Sequence, residues 1–461
     1  MGATIDIATW VAGASLEAMP VEIVERARAG VIDTAGVILA GVHEPVTRIA
    51  AALVAEDGGA PIASQLGTGL MTAPESAALL NGIAGHALDY DDVSASLTGH
   101  PSVVVLPAAL AAAELAGASG AGLLEAYVAG VEVTAKLGMA IGPAHYRAGW
   151  HATSTLGTLG AAMAAGKLLD LDSVRLANAL AIAVSEASGS RRNFGTMTKP
   201  FHAGHAARCG LAAARLAARG MTGDPTAIEA PLGLFALLSF GEGRPDAVAG
   251  ELGRPYDLAS VGLSVKRYPC CFATHRAADA VLDLRAEHRL DAERVEAVRV
   301  TVPVGGVSPL IHDRPTDGLQ GKFSMQYVLA AALLDGRVGL DAFEDRAVQR
   351  PEAQALLPRV AVHEDPGIPT GANPIEDGYV AVEVRLRGGA VLTRRVTHPH
   401  GSPADPLRPD ELAMKFRDCA AAVLDPGQAE TALARLLGLE HEPDVRSVVA
   451  ALTPAAAAAA R

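Results

Sequence analysis

Histidines and carboxylates lie close together in one short stretch of the sequence, between residues 86 and 100. His86 is followed by Asp89, Asp91 and Asp92, and then by His100. Three carboxylates within four residues repel one another, so we expect the pKa of at least one of them to be raised. Carboxylates and histidines tuned in this way can transfer protons in general acid–base catalysis. The alternative is a solvated helix end in which the aspartates only cap the helix.

A second group of polar residues surrounds Lys199. Lys199 and His202 lie in a string that continues with His205 and Arg208 into an Ala-rich helical pattern. Four side chains that can carry positive charge, all within ten residues, indicate a site for an anion. The alternative is a basic surface that only pairs with acidic side chains.

Two more polar strings interrupt the Ala-rich background. His151 stands at the entrance to a Gly/Ala-rich helical pattern, and a helix N-terminus favours an anion. A structural histidine held by hydrogen bonds is an equally good interpretation. Lys266 and Arg267 lie just before Cys271, where the pattern of the chain begins to change. A boundary between domains is a common place for a binding cleft, with a simple hinge as the alternative.

Helices must position most of these side chains, because helical periodicity extends from residue 1 to about 265. Apolar residues recur three or four positions apart over Val21–Leu39. Ala-rich helical candidates follow at 103–116, 121–138, 155–169, 174–187 and 203–220. A repeat of about 30 to 45 residues, which would indicate a solenoid, is not visible.

The pattern changes to that of strands after about residue 290. Apolar and polar residues alternate at 298–302, and Val, Val, Val and Leu recur at every second position over 380–386. Val360 and Val362 flank Ala361 in a shorter run, and Gly388-Gly389 predicts a hairpin before 391–396. A helix is predicted over about 323–334, and helical periodicity returns from Pro409. We therefore predict a mainly α protein. Its large helical domain comprises residues 1–265 and is completed by 405–461, and a smaller α+β domain spans 266–404.

Composition excludes several classes of protein. The 461 residues are 50% hydrophobic and 19% charged, which is unlike a disordered chain, and four cysteines without a C-x-x-C pair do not form a disulfide scaffold or a zinc motif. The formal charge of −13 argues against nucleic acid as a partner, so cations that bind an anion must be concentrated locally. Motifs for nucleotides, dinucleotides, zincins and serine hydrolases are absent. The N-terminus lacks a secretory pattern, and we expect a cytoplasmic protein without membrane contact.

Together these strings resemble the MmgE/PrpD family, which includes 2-methylcitrate dehydratase, cis-aconitate decarboxylase and iminodisuccinate epimerase. The most specific element is HALDYDD (86–92) followed by HPS (100–102). It is supported by TKPFHAGHAAR (198–208), KRYPCC (266–271) and KFSMQY (322–327). The resemblance extends over nearly the whole chain, from DTAG (33–36) to KF (415–416).

The resemblance implies a large helical domain and a smaller α+β lid domain in a homodimer. It also implies a small anionic polycarboxylate as substrate, with no organic cofactor, no iron–sulfur cluster and no metal. The implied catalytic residues are Asp89, His100, His151, Lys199 and Lys266. The expected substrate contacts are His202, Arg267, Cys271 and Tyr327.

The family's substrates carry a C–H bond next to a carboxylate, and removing that proton builds negative charge. Lys199 and Lys266 would hold the carboxylates and stabilise that charge. His100 is the candidate general acid or base, since its ordinary pKa lies near neutrality. Asp89 would orient or tune His100, and His151 would be a second proton carrier or a carboxylate ligand.

One such site can support several reactions, and the sequence separates them poorly. We predict a lyase, foremost a hydro-lyase acting on a methylcitrate- or aconitate-like acid. The alternatives are an epimerase of an iminodisuccinate-like amino diacid, a cis-aconitate-type decarboxylase, and a carboxylate-binding protein without catalysis. Val93 stands where many relatives have the Thr that belongs to the site of decarboxylase-type members, and this loss of a hydroxyl argues against decarboxylation.

Overall fold

The computed structural model describes residues 2–371 and 377–455, which divide into two compact units. Unit 1 contains the chain up to residue 193, residues 197–263 and the chain from residue 408. Unit 2 contains residues 194–196 and 264–407. The predicted fold class is confirmed, since unit 1 is built from helices and unit 2 combines helices with a four-stranded sheet.

The first part of unit 1 is a succession of helices with one small hairpin. The helices are α1 (Ala3–Gly13), α2 (Val21–Gly41), α3 (Pro45–Asp57), α4 (Pro74–Ala87), α5 (Ser102–Ala116), α6 (Gly120–Ile141), α7 (Pro143–Arg147), α8 (Ala152–Leu168), α9 (Ser173–Glu186), α10 (Thr198–Ala218) and α11 (Leu234–Leu238). Strands β1 (Ala63–Ser64) and β2 (Met71–Thr72) form an antiparallel pair before α4. The Ala-rich patterns that predicted helices between residues 103 and 220 correspond to α5, α6, α8, α9 and α10.

Unit 2 packs helices against a twisted mixed sheet. Its elements are α12 (His275–His288), β3 (Val295–Pro303), α13 (Gly318–Gly321), α14 (Met325–Asp335), α15 (Asp345–Gln349), α16 (Pro351–Leu356), β4 (Val360–Asp365), β5 (Val380–Leu386) and β6 (Val391–Val396). The strand order is β4-β3-β5-β6, with β3 and β4 parallel and the other pairs antiparallel. Val298 and Val300 pair with Val384 and Val382, and all four are buried, which is the alternation that predicted these strands.

Three C-terminal helices return to unit 1: α17 (Pro409–Ala420), α18 (Pro426–Leu437) and α19 (Val445–Ala451). Lys415 on α17 forms an ion pair with Asp33 on α2, with Nζ and Oδ1 2.6 Å apart, and donates to the carbonyl of Tyr90 at 2.9 Å. Both charged side chains are buried. This contact attaches the end of the chain to the acidic string that follows α4.

The apolar helices supply the interior of unit 1. Every residue of α5 from Ser102 to Glu114 is buried. Among the described residues, no single helix is long and apolar enough to cross a bilayer. Helices α2 and α3 reach that length and composition only as a pair, and they meet at 82°.

Glycines allow α4 and α10 to pack backbone against backbone. A Cβ atom on Gly82 of α4 would lie 2.6 Å from the Cα of Gly204 on α10, and a Cβ on Gly204 would lie 2.2 Å from the carbonyl oxygen of Leu79. Neither distance is possible for a real Cβ, so both positions require glycine. The close approach brings together the two helices that carry His86 and Lys199, and it gives the small-residue composition a structural role.

Gly204→Ala is therefore expected to destabilise unit 1. Overpacking of this kind costs about 1–3 kcal/mol, since the backbone of α4 must move away. Urea unfolding at neutral pH measures the loss. Gly13→Ala is the matched control, because its Cβ would meet nothing within 4 Å. Equal stabilities of the two variants would show that the close approach of α4 and α10 is not required.

Candidate active site

The acidic string begins at the end of α4 and leads into α5. His86 lies in the last turn of α4, and Asp89 adopts a left-handed conformation (φ 52°) that turns the chain away from the helix axis. Ser94 and Gly99 then pair across a short loop, and His100 follows it. Asp91 and Asp92 are fully buried, so the alternative of a solvated helix end is wrong.

Asp91 joins two histidines through a single oxygen. Its Oδ2 lies 2.8 Å from Nδ1 of His86 and 3.1 Å from Nδ1 of His100. Nδ1 of His100 also lies 2.8 Å from the backbone carbonyl of Asp92. Carboxylate and carbonyl oxygens only accept hydrogen bonds, so Nδ1 of each histidine carries the proton. Each Nε2 is therefore left with a lone pair when the ring is neutral.

Asp91 and His86 differ in charge although both are buried. Burial favours a neutral carboxyl, but the interactions with His86 and His100 outweigh burial and hold the pKa of Asp91 well below its ordinary value. Burial lowers the pKa of His86 to about 3. Asp91 is thus an ionised acceptor, and His86 is a neutral donor to it.

Asp92 is the carboxyl whose pKa is raised, as the sequence predicted for one member of the string. Burial raises its pKa to about 8, and a hydrogen bond from Ser102 opposes that rise. Ser102 is in turn hydrogen bonded to the hydroxyl of Tyr127, with the two oxygens 2.5 Å apart. Asp92 therefore carries a proton at neutral pH, while Asp91 beside it does not.

Asp92→Asn is expected to stabilise the protein in a pH-dependent way. Because the carboxyl's pKa is higher in the folded chain, Asp92 lowers stability progressively as the pH rises from about 4 to about 8. Linkage gives a gain for the variant of about 4 kcal/mol at pH 7 and under about 1 kcal/mol at pH 4. Urea unfolding at the two pH values measures this difference. The exposed Asp246→Asn is the control, and a gain for Asp92→Asn that is the same at both pH values would refute the assignment.

Lys199 lies in the first turn of α10 and faces the acidic string. Its Nζ is 2.5 Å from Oδ1 of Asp89, and both side chains are buried. The sequence predicted that Asp89 would orient or tune His100. In the structure Asp91 contacts His100, and Asp89 forms an ion pair with Lys199. The ammonium thus lies within the cluster, as an anion site requires.

His151 and His202 extend the cluster. Their Nδ1 atoms are 3.1 Å apart, so one ring donates and the other accepts. The His151 ring is stacked on that of His86, with centroids 5.9 Å apart. Burial lowers the pKa of His202 to about 4 and holds the pKa of His151 well below its ordinary value. Both rings are neutral at pH 7 and serve as polar groups without charge.

His100 is the most exposed member of the cluster. Its side chain is 12% exposed, while those of His86 and Asp91 are 0% exposed. Within residues 2–371 and 377–455 its Nε2 has no hydrogen-bond partner. Since its Nδ1 proton is fixed by Asp91 and by the Asp92 carbonyl, Nε2 is the atom at which His100 can take or give a proton.

The remaining predicted residues lie in unit 2. Lys266 is buried, and Cys271 packs with Phe323 while its backbone N–H donates to the carbonyl of Lys322 at 2.9 Å. Arg267 forms an ion pair with Asp279, with Nη1 and Oδ1 3.3 Å apart. The hydroxyl of Tyr327 donates to the carbonyl of Ala342 inside unit 2. Roles for Lys266, Arg267, Cys271 and Tyr327 in a common site stay predictions.

No role was predicted for Asp91 or His86, although both belong to the string between residues 86 and 100. Their contact depends on the left-handed turn at Asp89, which reverses the chain so that Asp91 returns to His86. Spacing along the sequence carries no signal for that turn.

The same atoms include a donor set that a divalent metal could use. Ligand atoms of His86, Asp89, Asp91 and His100 lie within 4.8 Å of one another. These atoms are already joined by hydrogen bonds within the cluster, and the ammonium of Lys199 neutralises Asp89. A metal would have to displace these contacts, so Lys199 is the cation that fits the cluster as it is built.

Known proteins and family models match the chain over most of its length. The chain is 30% identical to human cis-aconitate decarboxylase over 454 residues, which cover 96% of this chain and 92% of that protein. It is 31% identical to the mouse cis-aconitate decarboxylase over 387 residues (80% and 77%) and 27% identical to that of Aspergillus terreus over 469 residues (96% and 94%). The MmgE/PrpD N-terminal domain matches residues 5–245, and the MmgE/PrpD C-terminal domain matches residues 268–439. The chain belongs to the MmgE/PrpD family.

Proposed function

We propose that this enzyme is a cofactor-independent lyase that removes CO₂ from a small unsaturated tricarboxylate of the cis-aconitate type. The observation that carries the proposal is the state of His100, whose Nδ1 is engaged by Asp91 and the Asp92 carbonyl while its side chain is partly exposed. The names and coverage of the similar decarboxylases support this choice of reaction. A homodimer, which the family resemblance implies, is part of the proposal, and light scattering on the purified chain checks it.

The chemistry needs one proton and one place for negative charge. When the bond to the leaving carboxylate breaks, CO₂ departs and its electron pair passes through the double bond towards a remaining carboxylate. Protonated His100 then gives its Nε2 proton to the carbon that receives the electron pair, so the reaction consumes one proton for each CO₂ released. The ammonium of Lys199 stabilises the negative charge that builds up on that carboxylate.

Val93 supports a second candidate reaction, the dehydration of a methylcitrate-like acid. Its side chain is buried immediately after Asp92, and it offers no hydroxyl to a substrate. In a dehydration the neutral His100 would take a proton from the carbon next to a carboxylate and return it to the β-hydroxyl, which would leave as water. The same cluster therefore serves both candidates, and they differ in the group that departs.

A panel assay separates the candidates. Purified chain is incubated with cis-aconitate, citrate, 2-methylcitrate and an iminodisuccinate-type diacid, and the products are followed by ¹H NMR. Decarboxylation of cis-aconitate supports the proposal, whereas loss of water from 2-methylcitrate without CO₂ release supports the second candidate. Deuterium uptake from D₂O with no loss of either group would identify an epimerase. Absence of turnover for every acid by a folded protein would overturn the lyase assignment.

A further inference from the structure

His86 occupies a place in the cluster that the proposed chemistry does not use. Its side chain is fully buried, so it does not meet a substrate that arrives from solvent. Its Nδ1 nevertheless donates to the same Asp91 oxygen that accepts from His100, and the two imidazole rings lie edge to face with centroids 4.6 Å apart. His86 thus contacts His100 both directly and through the shared carboxylate.

The shared oxygen has two physical consequences. The other oxygen of Asp91, Oδ1, has no partner within the described part of the chain, so Oδ2 alone fixes the rotation of the carboxylate. A hydrogen bond donated to Oδ2 also reduces the negative charge of the Asp91 carboxylate. The carboxylate then attracts a proton on His100 less strongly. Both consequences depend on the Nδ1–H of His86.

We propose that His86 is a positioning residue for the reaction, holding the Asp91 carboxylate against His100 and moderating the negative charge that His100 meets. The inference rests on the proposed function only in taking His100 as the proton carrier. The hydrogen-bonded geometry that it describes exists whichever group leaves the substrate.

A neutral histidine suits this role, because a charged one would oppose protonation of His100. Burial keeps His86 neutral, with a pKa of about 3. The charged and titratable groups that act on it are Asp91, His100 and Lys199. His151 stacks on its ring and is neutral for the same reason, burial.

Two substitutions at position 86 distinguish the loss of the hydrogen-bond donor from the loss of the imidazole ring. His86→Leu removes the donor and fills similar space, whereas His86→Asn places an amide N–H near the position of Nδ1. We expect His86→Leu to lower kcat about 10- to 100-fold, a part of what a positioned acid or base contributes, with KM nearly unchanged. We also expect its pH–rate profile to move towards higher pH, because Asp91 then keeps its full negative charge beside His100. His86→Asn should restore both properties in large part.

His145→Leu is the matched control, since His145 is another buried neutral histidine of unit 1 that hydrogen bonds Thr155 and the Leu238 carbonyl instead. The His145→Leu variant should change stability without moving the pH–rate profile. If His86→Leu and His145→Leu gave the same profile, or if His86→Asn rescued nothing, the positioning role would be overturned.

A measurement on the unmutated protein keeps the inference testable if His86→Leu does not fold. Long-range ¹H–¹⁵N correlation spectra of protein with ¹⁵N-labelled histidine report which ring nitrogen carries the proton, without any substrate. We expect the Nδ1–H form at both His86 and His100. An Nε2–H form at His86 would overturn the inference while leaving the proposed function intact. Failure of the substrate panel with Nδ1–H at both rings would overturn the proposed function alone.

Discussion

Replacing His100 by Gln is expected to lower kcat by about 10²- to 10⁴-fold, the range that a general acid or base contributes. Gln is close to His in size and can donate to the Asp92 carbonyl, so the local hydrogen bonds are retained in part. It has no group that titrates near neutral pH, and the proton that the reaction consumes then has to come from water. Steady-state kinetics on the substrate found in the panel assay measure the loss.

The pH profile distinguishes loss of a proton carrier from general damage. In the His100→Gln variant, the part of the pH dependence of kcat/KM that His100 causes should disappear. His43→Gln is the control, because His43 is an exposed histidine of unit 1 and should behave like the unmutated chain. A His100→Gln variant that kept full activity and an unchanged profile would exclude His100 as the proton carrier.

Replacing Lys199 by Met should affect catalysis and stability together. The ammonium is the charge that stabilises the developing anion, and removing one such group costs about 10²–10³-fold in kcat. The variant also leaves the buried Asp89 carboxylate without its ion-pair partner. Breaking a buried pair from one side costs about 3–5 kcal/mol, so the free energy of unfolding should fall by that amount.

A double variant separates the two effects of Lys199. In Lys199→Met with Asp89→Asn the buried negative charge is gone, so most of the stability should return while activity stays low. Lys167→Met is the control, since the Lys167–Glu125 pair is partly exposed and such pairs contribute about 0–1 kcal/mol. Recovery of activity in the double variant would mean that Lys199 acts only by neutralising Asp89.

The sequence allowed the architecture to be predicted because its signals are local. Periodicity alone located the Ala-rich helices and the alternating valines of β3 and β5. The close packing of α4 against α10 could not be predicted from the sequence. Glycines at 82 and 204 have no local signature for close packing, because each is explained only by a residue more than a hundred positions away.

Local signals in the sequence also pointed to some of the candidate site residues. His100, His151, Lys199 and His202 stand in unusual polar strings, and the structure brings them together in unit 1. The contact between Asp91 and His100 was not predicted, because three aspartates in one string are equivalent until the turn at Asp89 is known. That turn directs Asp89 to Lys199 and returns Asp91 to His100, and burial then gives Asp92 the raised pKa.

In the proposed reaction the His100 cluster supplies a proton while a carboxylate leaves as CO₂. The most direct test is NMR of cis-aconitate turnover in D₂O, with CO₂ release measured in the same sample. We expect one CO₂ and one new C–D bond for each product molecule with the unmutated chain, and a large loss of both with His100→Gln. Decarboxylation would be excluded if the folded protein released no CO₂ and formed no C–D bond. His100 would be excluded as the proton donor if the His100→Gln variant formed both products at the normal rate.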